Sequence, residues 1–100
     1  MNDYIYKLVL KSHLLVESNW TKKDNDIVNL HFKYLQDLQA KGMITLVGKT
    51  DGLDESTYGI VIFKAESYEK AKEIMDNDPA IKQKIMVGVL QKFNIALTKK

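Results

Sequence analysis

The sequence contains no cysteine and no arginine, and all fifteen of its basic residues are lysine. The lack of cysteine excludes disulfides, thiolate metal sites and cysteine nucleophiles. Without arginine there is no planar guanidinium that could form paired hydrogen bonds with phosphate or guanine. The second absence argues against phosphoryl transfer and base-specific DNA recognition, although the codon bias of an AT-rich genome explains it equally simply.

Long apolar runs and low-complexity tracts are also missing, and no apolar run approaches the ~20 residues that span a bilayer. Lys7 and Lys11 interrupt the apolar segment 1–16, which has no small-residue cleavage site and therefore predicts a strand rather than a signal peptide. The net charge of +2 comes with scattered lysines and does not indicate a nucleic-acid surface. We expect one domain over residues 1–100, located in the cytoplasm, with neither nucleic-acid nor membrane partners.

The apolar pattern predicts one long helix in the first half of the chain. Thr21 can cap its start, with Asp24 three residues later in a weaker form of the capping box. Gly42 can end it as a left-handed C-cap. The apolar stripe consists of Ile27, Leu30, Tyr34, Leu35 and Leu38, with Phe32 at its margin.

Period-two alternation predicts four strands, at 4–16, 43–47, 58–65 and 85–97. Gly48 closes the second strand, Ser67 caps a second helix, and Pro79 follows the end of that helix. The order strand, helix, strand, strand, helix, strand is typical of the α+β ferredoxin-like fold, βαββαβ. This fold has a four-stranded antiparallel sheet with two helices on one face.

The third strand is apolar on both of its faces. Ile60 and Ile62 lie on one face, and Val61, Phe63 and Ala65 lie on the other. Two helices cover a single face of the sheet, so the second face needs another cover. The simplest cover is a second copy of the protein, which predicts a homodimer or a higher oligomer.

His31 lies within the apolar stripe of the long helix, four residues after Ile27 and four before Leu35. A histidine on a packing face needs a hydrogen-bond partner and can change its charge near neutral pH. Asp78 is the distant carboxylate that we expect to meet it. The pair can act as a base with its orienting group, or it can be a buried structural link, since Asp78 can also cap a short helix that starts at Pro79.

Two aromatic residues have similar alternatives. Tyr34, one turn after His31 on the same face, can donate a hydrogen bond to a ligand or be a core tyrosine. Trp20, at the entrance of the helix, can form the wall of a cleft or pack over the first turn.

A catalytic metal usually needs three ligands, and two widely spaced histidines do not supply them. No glycine-rich phosphate loop is present, so we expect neither a metal nor an organic cofactor.

The run from His31 to Gly42, with Gly48 six residues further on, resembles the first signature of the YciI-like (YCII-related) proteins. Trp20-Thr21 resembles one branch of that family, and the run from Ser67 through Ala71 to Asp78-Pro79 is similar to its second signature. The resemblance covers most of the chain. It implies a dimeric α+β barrel, in which each subunit is ferredoxin-like and a cleft holds a histidine and an aspartate.

In this sequence, the histidine and the aspartate of the family correspond to His31 and Asp78. One branch of the family is linked to dehalogenation of an aromatic ring, and relatives in the wider fold include isomerases and oxygenases that act on small aromatic compounds. The chain departs from many members after Gly48, where Lys49 replaces a common proline or arginine. Substrate specificity therefore does not transfer if this position contacts the substrate.

Two hypotheses for the function follow. In the first, the protein is an enzyme in which His31 is a general base or acid, Asp78 orients it, and Trp20, Tyr34 and Gly48 contact the substrate. The substrate would be a small polar aromatic or enolisable compound. In the second, the protein is a non-catalytic dimeric ligand-binding or accessory module in which His31 and Asp78 form a structural link.

Overall fold

The computed structural model describes residues 1–99, which form four strands and three α-helices. The strands are β1 (Asn2–Leu10), β2 (Ile44–Lys49), β3 (Gly59–Ala65) and β4 (Met86–Lys92). The helices are α1 (Lys22–Ala40), α2 (Tyr68–Asp76) and the short α3 (Pro79–Lys82). Two 3₁₀ segments, Ser12–Leu15 and Glu17–Asn19, connect β1 to α1.

The four strands form one antiparallel sheet in the order β2-β3-β1-β4. β1 and β3 are therefore central, as the ferredoxin-like topology predicts. The core that α1 and α2 share with the sheet lies on one face of it, where Leu35 and Ala71 pack with Tyr6 and Phe63. The predicted α+β fold is confirmed.

The ends of α1 follow the local sequence. The Thr21 hydroxyl accepts a hydrogen bond from the amide of Asp24, and the Asp24 carboxylate accepts one from the amide of Thr21. This is the predicted capping box. At the other end Gly42 has a φ of 75°, which is the left-handed conformation that glycine adopts at little cost.

Two strands are shorter than the sequence predicts. The prediction of a strand over 4–16 is wrong beyond Leu10, where the chain turns into 3₁₀ segments and buries Leu14 in a second core cluster. The prediction of a strand over 85–97 is wrong beyond Lys92. That residue pairs with Tyr4 near the start of β1, so little of the neighbouring strand is left to pair with.

Three smaller differences have local causes. Gly48 lies inside β2 rather than ending it, because it pairs with Ile60 of β3. Leu30 is 54% exposed, although the sequence places it in the apolar stripe, because it lies at the edge of the buried face of α1. His13 lies in a 3₁₀ segment and is exposed, instead of lying on a strand.

The second core cluster fixes the relative positions of α1 and α3. Its buried members are Leu14, Ile27, Ala80 and Ile85. Ile27 is one turn before His31, and Ala80 is two residues after Asp78. Apolar packing between these neighbours therefore brings a side chain of α1 close to the start of α3.

The sheet face opposite the helices consists largely of apolar side chains, and we call it the open face. Several of them are exposed, including Leu46 (48%), Val87 (49%) and Val89 (55%). The register places Ile5 opposite Ile62 on the same face. Exposed apolar surfaces that extend over several strands are typical of interfaces.

Candidate active site

His31 and Asp78 lie in contact, 47 residues apart in the sequence. The distance between His31 Nδ1 and Asp78 Oδ1 is 2.6 Å. The His31 side chain is 13% exposed and the Asp78 side chain is completely buried. A buried carboxylate needs compensating hydrogen bonds, and its surroundings supply them.

Asp78 accepts hydrogen bonds from three elements of the fold. Besides His31 on α1, the amide of Ala80 on α3 donates to Oδ1 at 3.0 Å, so Asp78 is the N-cap of α3. The Tyr6 hydroxyl on β1 donates to Oδ2 at 2.8 Å. Pro79 follows at the first position of α3, where its missing N–H has no cost. The capping role and the contact with His31 thus coexist in one side chain.

Tyr6 is the member of this site that the sequence did not predict. Burial, followed by the negative charge of Asp78, raises the pKa of Tyr6. The hydroxyl therefore stays protonated and remains a donor. Its position on the inward face of β1 is typical of a core residue, and no local signal in the sequence links it to residue 78.

The second ring nitrogen of His31 is free of hydrogen bonds among the described residues and is not fully buried. Nδ1 contacts the carboxylate, whereas Nε2 makes no hydrogen bond within residues 1–99. No fully buried side-chain nitrogen or oxygen in that range lacks a partner, so Nε2 is not fully buried. In the neutral ring, donation from Nδ1–H to Asp78 leaves a lone pair on Nε2, as a general base requires.

His31 lines a cleft with a volume of about 530 Å³. The cleft lies between α1, the sheet and the loop that joins β2 to β3. Its walls are mostly apolar, and they include the aromatic side chains of Trp20, Phe32 and Tyr58. Lys49 also lines the cleft, whereas none of the lining residues is acidic. Such a cleft suits a small, largely apolar molecule with a few polar groups.

The structure brings Trp20 and Gly48 to the same cleft as His31. The Trp20 ring nitrogen donates to the carbonyl of Leu14 at 2.8 Å, which fixes the ring at the cleft wall. Tyr34 lies elsewhere. Its hydroxyl donates to the carbonyl of Ile74 at 2.7 Å, and it lines a groove on another side of α1.

Within residues 1–99, no group of three histidine, aspartate or glutamate side chains is arranged to hold a metal ion. Nor does any helix in that range have both the length and the apolar character to cross a membrane. The polar side chains that line the cleft are those of His31, Asn29, Lys49, Thr57 and Tyr58.

The family of the chain follows from its similarity to known proteins. The model of the YCII-related domain matches residues 7–95. The chain belongs to the YCII-related domain family. This confirms the resemblance seen in the runs around His31 and Asp78. No curated protein matches the chain at a significant level.

A solved structure with a similar fold is 5-chloro-2-hydroxyhydroquinone dehydrochlorinase from Burkholderia phenoliruptrix AC1100, in complex with 2,5-dihydroxybenzoquinone. The TM-score is 0.69 and the identity is 21%, over 92% of this chain and 93% of that chain. At this level of identity the similarity shows a common fold.

Proposed function

We propose that this YCII-related protein is a cytoplasmic small-molecule enzyme, built as one domain, in which His31 transfers protons as a general base or acid. Asp78 orients the imidazole, and the substrate is a small polar aromatic or enolisable compound bound in the cleft. The observation that carries the proposal is the 2.6 Å contact between His31 Nδ1 and Asp78 Oδ1, made by a histidine that lines the cleft.

The walls of the cleft support this type of substrate. Trp20 and Gly48 lie along it, and a ring between Trp20 and the apolar side chains would bury its faces while its polar groups reach His31. Tyr34 was also predicted to contact the substrate. The hydrogen bond from its hydroxyl to the carbonyl of Ile74 supports a packing role for Tyr34 more than contact with the substrate. A dehydrochlorinase with the same fold, in complex with a hydroxylated quinone, agrees with the proposed class.

The capping bond from Ala80 to Asp78 favours a second candidate, in which the pair is a structural link in a binding or accessory module. The two candidates differ in whether a bound molecule would be chemically converted. General acid–base help is worth ~10²–10⁴-fold in rate, whereas a structural link leaves the bound molecule unchanged.

The test begins with a panel of small aromatic acids, phenols and enolisable ketones. Binding is followed in nitrogen–proton NMR spectra of wild type, His31→Ala and His13→Ala. The last variant is the control, because it replaces the other, exposed histidine. We expect ligands to shift the Trp20 and Gly48 signals of wild type and of the control, and not those of His31→Ala. His31→Gln serves if His31→Ala does not fold.

The second step separates catalysis from binding. Enolisable ligands are incubated with the protein in D₂O, and the carbon-bound proton next to the carbonyl is followed by NMR. Exchange of this proton by wild type and His13→Ala, slowed at least ~10²-fold in the His31 variants, supports the proposal. Binding without exchange or other conversion of any ligand, or equal binding by the His31 variants, contradicts it.

We also propose that the protein is a homodimer that pairs through the open face. The support is the group of exposed apolar side chains there, with Val87 and Val89 about half exposed. Burial of apolar surface stabilises by ~25 cal/mol per Å², and a sheet-to-sheet dimer buries this face in both copies. Sedimentation at micromolar concentration should give about twice the chain mass. A soluble monomer that binds no hydrophobic dye would refute the dimer.

A further inference from the structure

We infer that Tyr6 is a positioning residue of the His31–Asp78 pair: its hydroxyl holds the Asp78 carboxylate in place and, by donating to it, weakens the negative charge that faces His31. The role rests on the proposed function, because it concerns the basicity of His31 at the cleft. Tyr6 itself is completely buried and does not line the cleft, so it acts through Asp78.

The two oxygens of Asp78 are used unequally. Oδ1 accepts from His31 and from the amide of Ala80, whereas Oδ2 accepts from the Tyr6 hydroxyl. Since the carboxylate is completely buried, water does not replace a missing donor there. The Tyr6 hydroxyl thus supplies the polar contact that the second oxygen of the anion requires.

The ring and the hydroxyl of Tyr6 have separate partners. The ring packs edge-on against Phe63, with 5.5 Å between the centroids, and the hydroxyl contacts Asp78. Replacement by phenylalanine therefore removes the donor and leaves the ring packing in place. This separation makes the role of the hydroxyl measurable.

The direction of the effect follows from electrostatics. A hydroxyl that donates to a carboxylate partly neutralises it, and its positive end repels an imidazolium on the other side. Without the hydroxyl, more negative charge faces His31, and the charged imidazolium is favoured. Two further polar groups act on Asp78: the amide of Ala80, which donates to Oδ1, and the Tyr34 hydroxyl, which is bonded to Ile74 and interacts with the charge of Asp78.

The experiment is a pH titration of the histidine side chains, followed by nitrogen NMR, in wild type, Tyr6→Phe and Tyr4→Phe. Tyr4 is the matched control, since it lies two residues earlier on the same face of β1 and also packs on Phe63. We expect Tyr6→Phe to raise the titration midpoint of His31 by about half a pH unit. A shift of this size corresponds to a fraction of the free energy of one hydrogen bond to a charged group. The midpoint in Tyr4→Phe should equal that of wild type.

A midpoint of His31 that is unchanged or lowered in Tyr6→Phe would overturn the inference, as would an equal rise in Tyr4→Phe. In the Asp78→Asn background the effect of Tyr6→Phe should vanish, because the charge that transmits it is absent. If Tyr6→Phe does not fold, 3-fluorotyrosine at position 6 keeps the shape and makes the phenol a stronger donor. The midpoint of His31 should then fall, and no change or a rise would overturn the inference.

The outcomes for Tyr6 and for the proposed function are distinguishable. If Asp78→Asn moves the midpoint of His31 and Tyr6→Phe does not, Tyr6 has only a packing role and the proposed function is unaffected. If Tyr6→Phe moves the midpoint but no ligand is converted in the cleft, the coupling is real and the enzymatic function fails.

Discussion

On β3, Val61 and Phe63 point towards the helices and are completely buried, whereas Ile60 and Ile62 point to the open face and stay partly exposed. β1 has the same asymmetry: Tyr6 is buried with its hydroxyl on Asp78, and the adjacent Lys7 is exposed. The same strands thus build two surfaces with different chemistry.

The comparison teaches where buried polar groups can be tolerated. The helix-covered face contains Asp78, a completely buried charge, because three donors from three elements converge on it. In the described part of the chain, no helix covers the open face, and its charged side chains, such as Lys7, stay exposed among apolar ones such as Ile5 and Ile62. The candidate active site therefore belongs to the covered side, and the open face is suited to a partner.

The largest effect should come from truncating a residue of the covered face. Phe63→Ala removes a completely buried ring and should lower the free energy of unfolding by ~3–5 kcal/mol. Ile62→Ala, its neighbour on the open face, should cost less, and its effect should vary with protein concentration because the proposed second copy would cover it. Urea unfolding at two concentrations measures both. If both variants lose the same free energy of unfolding at both protein concentrations, the two faces do not differ as proposed.

A charge on the open face should act on assembly and not on the cleft. Val89→Lys places a charge in the proposed interface, where burial without a partner is costly. We expect the sedimenting mass to fall to that of one chain at micromolar concentration, while Val9→Ala, a milder change on the same face, leaves a dimer. A dimer that persists in Val89→Lys would exclude this face as the interface.

A smaller effect, on the covered face, depends on pH. Because the pKa of Tyr6 is raised in the folded state, the unfolded chain loses that proton from about pH 10 while the folded chain keeps it. The free energy of unfolding should therefore fall as the pH rises above about 10. Burial also raises the pKa of Tyr34 to about 12. Part of the fall in the free energy of unfolding at alkaline pH should therefore remain in Tyr6→Phe.

Thermal or urea unfolding between pH 8 and 11 checks this linkage (the pH values follow from the ordinary tyrosine pKa of about 10). Tyr6→Phe should reduce the alkaline slope by up to ~1.4 kcal/mol per pH unit, the value for one proton. Tyr4→Phe is the control, and an alkaline slope that is the same in Tyr6→Phe and wild type would contradict the assignment.

Much of this arrangement can be predicted from the sequence where the signal is local. Thr21 and Asp24 indicate the start of α1, Gly42 its end, and Asp78-Pro79 the start of α3, because caps depend on neighbours in the chain. The position of His31 between Ile27 and Leu35 also indicated that its side chain faces the core.

The remaining features depend on contacts that are distant in the sequence. The alternation of 85–97 continues past Lys92, but β1 has almost no residues left to pair with it. The hydroxyl of Tyr6 meets a residue 72 positions away, and nothing around Tyr6 in the sequence indicates it. Likewise, the segment after Leu10 turns because Leu14 reaches a cluster with Ala80 and Ile85.

The central claim is that Asp78 holds Nδ1 of His31 and leaves Nε2 as the free nitrogen at the cleft. The most direct measurement is the nitrogen NMR spectrum of the His31 ring in wild type and Asp78→Asn, with His13 as the internal control. We predict a proton on Nδ1 in wild type, and a changed tautomer or titration midpoint in Asp78→Asn, while His13 keeps its signals. A wild-type ring protonated only at Nε2, or a His31 signal that Asp78→Asn leaves unchanged, would contradict the claim.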